Sequence, residues 1–250
     1  MTDSEVDYAR LCSLVLDEPV APGDSPGVVG WLQRLCRAAA RVLESSGVNV
    51  VVMSDSRNEL TVAASGDASR RVEDLQFSLG EGPCLESVEA RRPVLTPDLA
   101  YPGVRWPVYA LAVREYGVRA VFAFPLQVGM ARLGAVGVYR DTVGDLSPKA
   151  LRQALTFAEI ALRALLDALD SPAQTASVAG DVLGSRFEVY QAQGMVMIQL
   201  GVDAGEAIAR IRGCAFGQNR SVTDVSRDIV ARRLVLSSDE GPGVRSDGVD

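Results

Sequence analysis

Hydrophobic positions change their spacing several times along the first 140 residues. Apolar residues that recur three and four positions apart are typical of amphipathic helices, and they predict helices over 3–17, 27–45 and 105–117. Runs rich in β-branched residues are typical of strands, and they predict strands over 48–54, 59–65, 94–95, 121–128 and 132–140. The longer strands form two pairs with short turns between them, as in antiparallel hairpins. We therefore expect helices on an antiparallel sheet, an α+β architecture.

A longer helix is predicted to begin at Ser147 and Pro148, an N-cap residue followed by a proline in the first turn. Its apolar residues follow spacings of four and three, which is the heptad pattern of a coiled coil. This candidate dimer seam consists of Leu151, Leu155, Ala158, Leu162, Leu165 and Leu169. Two interpretations stay open: the seam pairs two copies of the chain, or the helix packs only on its own sheet.

A small all-α unit of three short helices is predicted at the C-terminal end. The first helix is expected over 184–200, and the next two begin at the N-cap residues Asp203 and Ser221. The residues expected to face inward are Ala207, Ile208, Ile211 and Ala215 in the second helix and Val222, Val225 and Ile229 in the third.

Changes in composition divide the chain into five parts. A short N-terminal segment (1–26) precedes the α+β domain (27–170). Small and polar residues at 171–182 are typical of a linker, and the three-helix unit follows at 183–236. The polar and glycine-rich tail at 237–250 is predicted to be disordered.

Composition excludes several kinds of chemistry. The chain contains no histidine, which rules out histidine metal ligands and Ser-His-Asp or Cys-His catalysis. Its four cysteines are scattered without a C-x-x-C pair, unlike a disulfide framework or a zinc site. No apolar run is long enough for a membrane span, and the polar N-terminus is unlike a signal peptide. We expect a cytoplasmic protein that is not an enzyme, with no metal site and no evident cofactor.

Residues 27–169 resemble a GAF domain. The similar stretches are LGEGPCLESV at 79–88, PDLA to RWPVY over 97–109, FPLQVGMARLGAVGVYR at 124–140 and the closing helix. The resemblance implies a sensory domain that responds to a small molecule or to a signalling partner. Candidate pocket residues are Cys84, Trp106 and Tyr109. The alternatives are that Cys84 is a small buried hydrophobic residue or, less favoured, an enzyme's thiol, and that both aromatic rings belong to the core.

Residues 182–236 resemble the ANTAR domain in AQGMVM at 192–197, EAIARIRGCAF at 206–216 and SVTDVSRDIVARRL at 221–234. The resemblance implies an RNA-binding transcription antiterminator that acts as a homodimer and recognises stem-loops with paired hexanucleotide loops. The segment 186–236 contains seven arginines and five acidic residues within a chain of net charge −7. This asymmetry favours binding of a polyanion at the C-terminal end.

Three RNA-binding candidates lie in the first helix of this unit. Many ANTAR domains carry a basic residue between the alanine and the glycine of the A-x-G element, where this chain has Gln193. Glutamine can hydrogen-bond a base edge but contributes no charge. Gly194 is costly inside a helix, and either close helix packing or close approach of RNA would explain it. The same two explanations apply to Ala192.

Four further RNA-binding candidates follow, and each has a structural alternative. Arg212 matches an arginine of the family, or it is a solvated residue near a helix C-terminus. Arg220 and Arg227 lie seven positions apart, and Asp224 could pair with either. Ser221 is an N-cap whose helix start could also present N–H groups to a phosphate.

Another expected ion pair joins Asp228 to Arg232, four positions on. The main functional alternative is a signalling or protein-interaction scaffold that does not bind RNA. A DNA reader is less favoured, because no helix carries clustered base-reading side chains.

Overall fold

The computed structural model describes residues 3–53, 59–101, 103, 105–170, 186–218 and 220–237. The chain divides into two compact units, Met1–Val182 (unit 1) and Leu183–Asp250 (unit 2). The predicted linker at 171–182 and the predicted tail at 237–250 lie outside the described residues, apart from Ser237.

Unit 1 contains a five-stranded antiparallel sheet with the strand order β2-β1-β5-β4-β3. The strands are β1 Gly47–Met53, β2 Glu59–Ala64, β3 Val94–Thr96, β4 Ala120–Val128 and β5 Ala131–Arg140. Both predicted hairpins are present, because β1 pairs with β2 and β4 pairs with β5. The two hairpins join where β1 lies beside β5, so that Asn49 faces Gly137 at the centre of the sheet.

In the part of unit 1 that the structure describes, six helices accompany this sheet: α1 Asp3–Leu16, α2 Gly27–Val42, α3 Asp67–Leu79, α4 Pro83–Ala90, α5 Pro107–Glu115 and α6 Pro148–Leu169. The strands alternate side chains between two buried faces, as their period of two requires. One face, with Phe122 and Phe124, packs against α2 and α6, and α1 packs on these two helices. The other, with Val121 and Tyr139, packs against α4 and α5. The predicted α+β architecture, with flanking helices on an antiparallel sheet, is confirmed.

The predicted seam on α6 lies partly inside unit 1. Ala158 and Leu165 belong to the core, and Leu151 and Leu162 are half-buried against it. Only Leu155 and Leu169 are exposed, at 45% and 57%. Helix α1 and the sheet therefore bury much of the seam within one copy, and pairing through its exposed residues stays a prediction.

The described residues of unit 2 form three helices, α7 Phe187–Leu200, α8 Ala204–Gly217 and α9 Val222–Val230. Both predicted N-caps are present: Asp203 accepts a hydrogen bond from the Glu206 N–H, and Ser221 accepts one from the Asp224 N–H. Helix α7 packs against both other helices. All seven residues that were predicted to face inward are buried: Ala207, Ile208, Ile211, Ala215, Val222, Val225 and Ile229.

Candidate nucleic-acid interface and sensor pocket

Helix α7 buries two of its three candidate residues. Ala192 is fully buried, and Gln193 is only 5% exposed. The Gln193 side-chain amide donates a hydrogen bond to the Ala204 carbonyl at 2.6 Å. This bond holds the amide against the start of α8, so Gln193 links α7 to α8. Contact of Gln193 with a base edge stays a prediction.

Gly194 is half-exposed on the same helix. A Cβ atom placed on Gly194 would meet nothing within 4 Å apart from the helix's own neighbouring backbone. Close helix packing therefore does not explain this glycine, which corrects one of its two explanations. The bare backbone at this position is open to a ligand.

Arg212 is half-buried on α8. Its charge, like that of Arg186, acts on the hydroxyl of Tyr190 on α7. Burial raises the pKa of Tyr190, while the charges of the two arginines oppose that rise. The Tyr190 hydroxyl is shielded from solvent and has no hydrogen-bond partner among the residues that the structure describes. Tyr190 was not singled out in the sequence, because only the packing of α7 on α8 brings it close to Arg212.

The arginines near α9 form ion pairs. Arg227 contacts Asp224 at 2.9 Å, and Arg220 contacts Asp228 at 2.5 Å. Asp228 also accepts hydrogen bonds from Arg233. Its ion-pair partners are Arg220 and Arg233, so the expected Asp228–Arg232 pair is wrong.

Hydrogen bonds from Arg220 and Arg233 lower the pKa of Asp228. The expected partner, Arg232, has a φ of 57° just beyond the helix. This backbone turn ends the i,i+4 geometry that the pairing required. Ser221 caps α9 and also bonds to the Asp224 carboxylate, so its hydroxyl already has a structural role.

Phe216 is a second residue that the sequence reasoning missed. It lies in the last turn of α8 and is 70% exposed. Its spacing of four from Arg212 puts both on one helix face, a signal that was present in the sequence. Gly213, also exposed, lies between them, and a Cβ there would meet nothing within 4 Å.

A buried polar network occupies the α4–α5 side of unit 1. The Glu73 carboxylate accepts hydrogen bonds from Asn49, from Gln76 at 2.7 Å and from the Tyr139 hydroxyl at 2.9 Å. The Cys84 thiol lies 4.0 Å from the same carboxylate oxygen. Burial, and then the charge of Glu73, raise the pKa of Tyr139 well above its ordinary value.

The three candidate pocket residues belong to the core on this side of the sheet. Cys84 and Tyr109 are fully buried, and Trp106 is 5% exposed. The rings of Trp106 and Tyr109 meet edge to face with centroids 6.0 Å apart. Burial of Cys84 and Tyr109 agrees with the alternative that they belong to the core, and a role for them in a ligand pocket stays a prediction. Trp106 alone reaches a cavity, with its indole N–H donating to Glu86 at 2.9 Å.

That cavity has a volume of about 460 Å³ and lies beside the edge strand β3. Its charged residues have both signs, and the exposed Tyr101 adds an aromatic ring. The lining residues that carry polar or aromatic groups are Glu86, Arg92, Thr96, Asp98, Tyr101, Arg105 and Trp106. Arg105 pairs with Glu86. The cavity is large enough for a small organic molecule.

Among the described residues, no helix is both long and apolar enough to cross a membrane. In the same part of the chain, no cluster of three or more cysteine, aspartate or glutamate residues could hold a metal ion.

Comparison with known proteins gives two family matches. Residues 30–166 match the family model of the GAF domain, and residues 181–230 match that of the ANTAR domain. No curated protein matches the chain.

Solved structures resemble unit 1. The GAF domain of a phosphoenolpyruvate-protein phosphotransferase from Coxiella burnetii has a TM-score of 0.51 at 15% identity, covering 68% of this chain and 98% of that one. The GAF domain of the Acinetobacter phosphotransferase has a TM-score of 0.50 at 12% identity, covering 68% of this chain and 97% of that one. At such low identity, the likeness shows a shared fold.

Proposed function

Because the chain belongs to the GAF-domain family and carries an ANTAR domain after it, we propose that it is a transcription antitermination regulator. In this proposal unit 1 senses a signal, and unit 2 binds RNA stem-loops with paired hexanucleotide loops. RNA binding stabilises an antiterminator structure, so that transcription continues. The proposal assigns no catalytic role to the chain, and the full burial of Cys84 supports a structural role for its thiol.

The observation that carries the RNA-binding proposal is the open glycine on α7 within the matched ANTAR region. Gly194 destabilises its helix by about 1 kcal/mol relative to alanine, and packing within unit 2 does not require it. Close approach of an RNA loop would explain it. The half-buried Arg212 supplies a guanidinium on the adjacent helix, suited to contact with a phosphate or a base edge.

The other candidates have smaller roles in this proposal. Arg220 and Arg227 are held by Asp228 and Asp224, so they contribute to the local potential rather than to base recognition. The start of α9, which Ser221 caps, offers backbone N–H groups to a phosphate.

We also propose that the protein acts as a cytoplasmic homodimer. Two RNA loops require two copies of unit 2, and a dimer provides them. The exposed part of the α6 seam, Leu155 and Leu169, supports pairing through this helix. The cavity beside β3 is the proposed site at which a small-molecule signal enters unit 1.

The experiment is fluorescence anisotropy of the full-length protein with a labelled RNA that carries two hexanucleotide loops. A single-loop RNA is the control, and the titration is repeated over a range of salt concentrations. We expect binding that needs both loops, weakens as salt rises and falls at least tenfold in Arg212→Ala. Lys149→Ala, a charge change in unit 1, is the matched control and keeps wild-type affinity.

Failure of the wild type to bind at low salt, with or without cell extract as a source of ligand, would contradict the proposal. It would favour the alternative of a signalling scaffold. Binding that Arg212→Ala leaves unchanged would contradict the assigned RNA surface, but not RNA binding itself.

A further inference from the structure

The face of α8 that contains Arg212 also presents an aromatic ring to solvent. Phe216 is 70% exposed in the last turn of α8, whereas Ile208, Ile211 and Ala215 on the same helix are buried. Residues four positions apart in a helix are neighbours on its surface. Phe216 therefore lies one helical turn from Arg212 along the same face.

One position beside this ring carries no side chain. Gly213 is exposed and precedes Phe216 by three positions, so it borders the ring. A Cβ at Gly213 would meet nothing within 4 Å, and packing of unit 2 therefore does not require glycine here. Alanine would suit the helix better. The bare backbone leaves room for a flat group to lie against Phe216.

An exposed phenylalanine ring has no hydrogen-bonding group, so it offers a planar apolar surface. Unpaired RNA bases are planar, and in loops they are free to leave the base stack and to stack on aromatic side chains. A neighbouring arginine adds attraction to the phosphates or to the base itself. The surface of α8 combines the features that such a base needs: the ring of Phe216, the bare backbone of Gly213 and the positive charge of Arg212.

We propose that Phe216 is a stacking platform for one unpaired base of the RNA loop. This inference rests on the proposed RNA-binding function and adds an affinity-determining residue to it. Phenylalanine recognises the base by shape rather than by hydrogen bonds, so it tolerates any base that is free to stack. Base identity is then determined by other contacts.

The test uses full-length variants and the two-loop RNA in the anisotropy assay. Phe216→Leu keeps an apolar side chain but removes the aromatic face, and we expect its affinity to fall about 5- to 150-fold. Phe216→Tyr keeps the face and should keep wild-type affinity. Val235→Ala, at another exposed apolar residue of unit 2, is the matched control and should also bind as the wild type does.

A direct readout comes from Phe216→Trp, whose indole fluorescence should be quenched when RNA with intact loops is added. RNA with abasic nucleotides in both loops should abolish the quenching and should bind the wild type and Phe216→Leu equally. Circular dichroism establishes that the variants are folded.

Three outcomes would overturn the inference. The first is a Phe216→Leu variant that binds RNA as tightly as the wild type while Arg212→Ala does not. The second is a Phe216→Leu variant with a changed mass in sedimentation, which would make Phe216 a protein contact. The third is a wild type that binds no RNA, which would overturn the proposed function as well.

Discussion

Two glycines show how differently the same residue type acts at two positions. At Gly137, in the centre of the sheet, a Cβ would overlap the Asn49 side chain and lie 2.9 Å from the Tyr139 hydroxyl and 3.0 Å from the Cys84 sulfur. At Gly194, on α7, a Cβ would meet nothing. The first glycine makes room for the Glu73 network, and the second leaves a surface bare.

We expect Gly137→Ala to destabilise unit 1 by about 1–3 kcal/mol, because the added methyl group overfills a tightly packed polar site. The measurement is the free energy of unfolding in urea, followed by the fluorescence of Trp31 and Trp106. An unchanged free energy would show that the network can move aside.

Gly194→Ala should have the opposite effect on its own unit. Alanine favours the helix, so unit 2 should gain up to about 1 kcal/mol, measured by thermal melting of the helical circular dichroism signal. If RNA approaches this backbone, the same variant should bind the two-loop RNA more weakly. A variant that is more stable and binds equally well would remove Gly194 from the RNA surface.

The sequence predicts helices and strands better than it predicts the partners of single polar side chains. Gln193 was an RNA-binding candidate because of its place in the A-x-G element, yet its amide is bonded to a backbone carbonyl inside unit 2. Glu73 is buried too, and two of its partners, Asn49 and Tyr139, come from strands that are distant from it in the sequence. Such pairings depend on the tertiary fold and leave no local pattern.

Elements with short-range signals were predicted well. Ser147, Asp203 and Ser221 are N-caps whose side chains accept the expected hydrogen bonds. Helix α3 was missed, because its sequence, DASRRVEDLQFSL, is mostly polar and lacks a continuous apolar stripe. It buries Glu73 and Gln76 beside Val72 and Phe77, and a purely hydrophobic pattern does not detect such a helix.

Ion pairs hold the connection between α1 and α2, and they make the stability of unit 1 depend on pH. Asp24 accepts two hydrogen bonds from Arg37, at 2.9 and 2.8 Å, and one from the Ala21 N–H. The hydrogen bond from Arg37 lowers the pKa of Asp24 below its ordinary value of 3.8. Glu18 also contacts Arg37.

We expect Asp24→Asn to lower the free energy of unfolding by about 1–3 kcal/mol at neutral pH, because charged hydrogen bonds are lost. A carboxyl with a lowered native pKa stabilises the fold above its unfolded pKa and loses this effect as pH falls through the native value. The difference between wild type and variant should therefore shrink below about pH 4. Urea unfolding at pH 7 and pH 3 measures it, and a constant difference would contradict the assignment.

At the scale of the whole molecule, the dimer is the most direct prediction. Leu155 is the exposed apolar residue nearest the middle of α6, and a buried charge there would oppose pairing. In sedimentation analysis we expect the wild type to be a dimer and Leu155→Glu to be a monomer. Leu111→Glu, at an exposed leucine of α5, is the matched control and should remain dimeric. A monomeric wild type would contradict dimerisation.

Strand β3 forms one edge of the sheet, and its sequence affects whether another copy can pair with it. Strand β3 has only three residues, and Pro93 and Pro97 flank it on both sides. Proline has no N–H to donate, and short edge strands with prolines resist the addition of a strand from another molecule. This edge is therefore protected against the addition of a strand from a second copy of the chain.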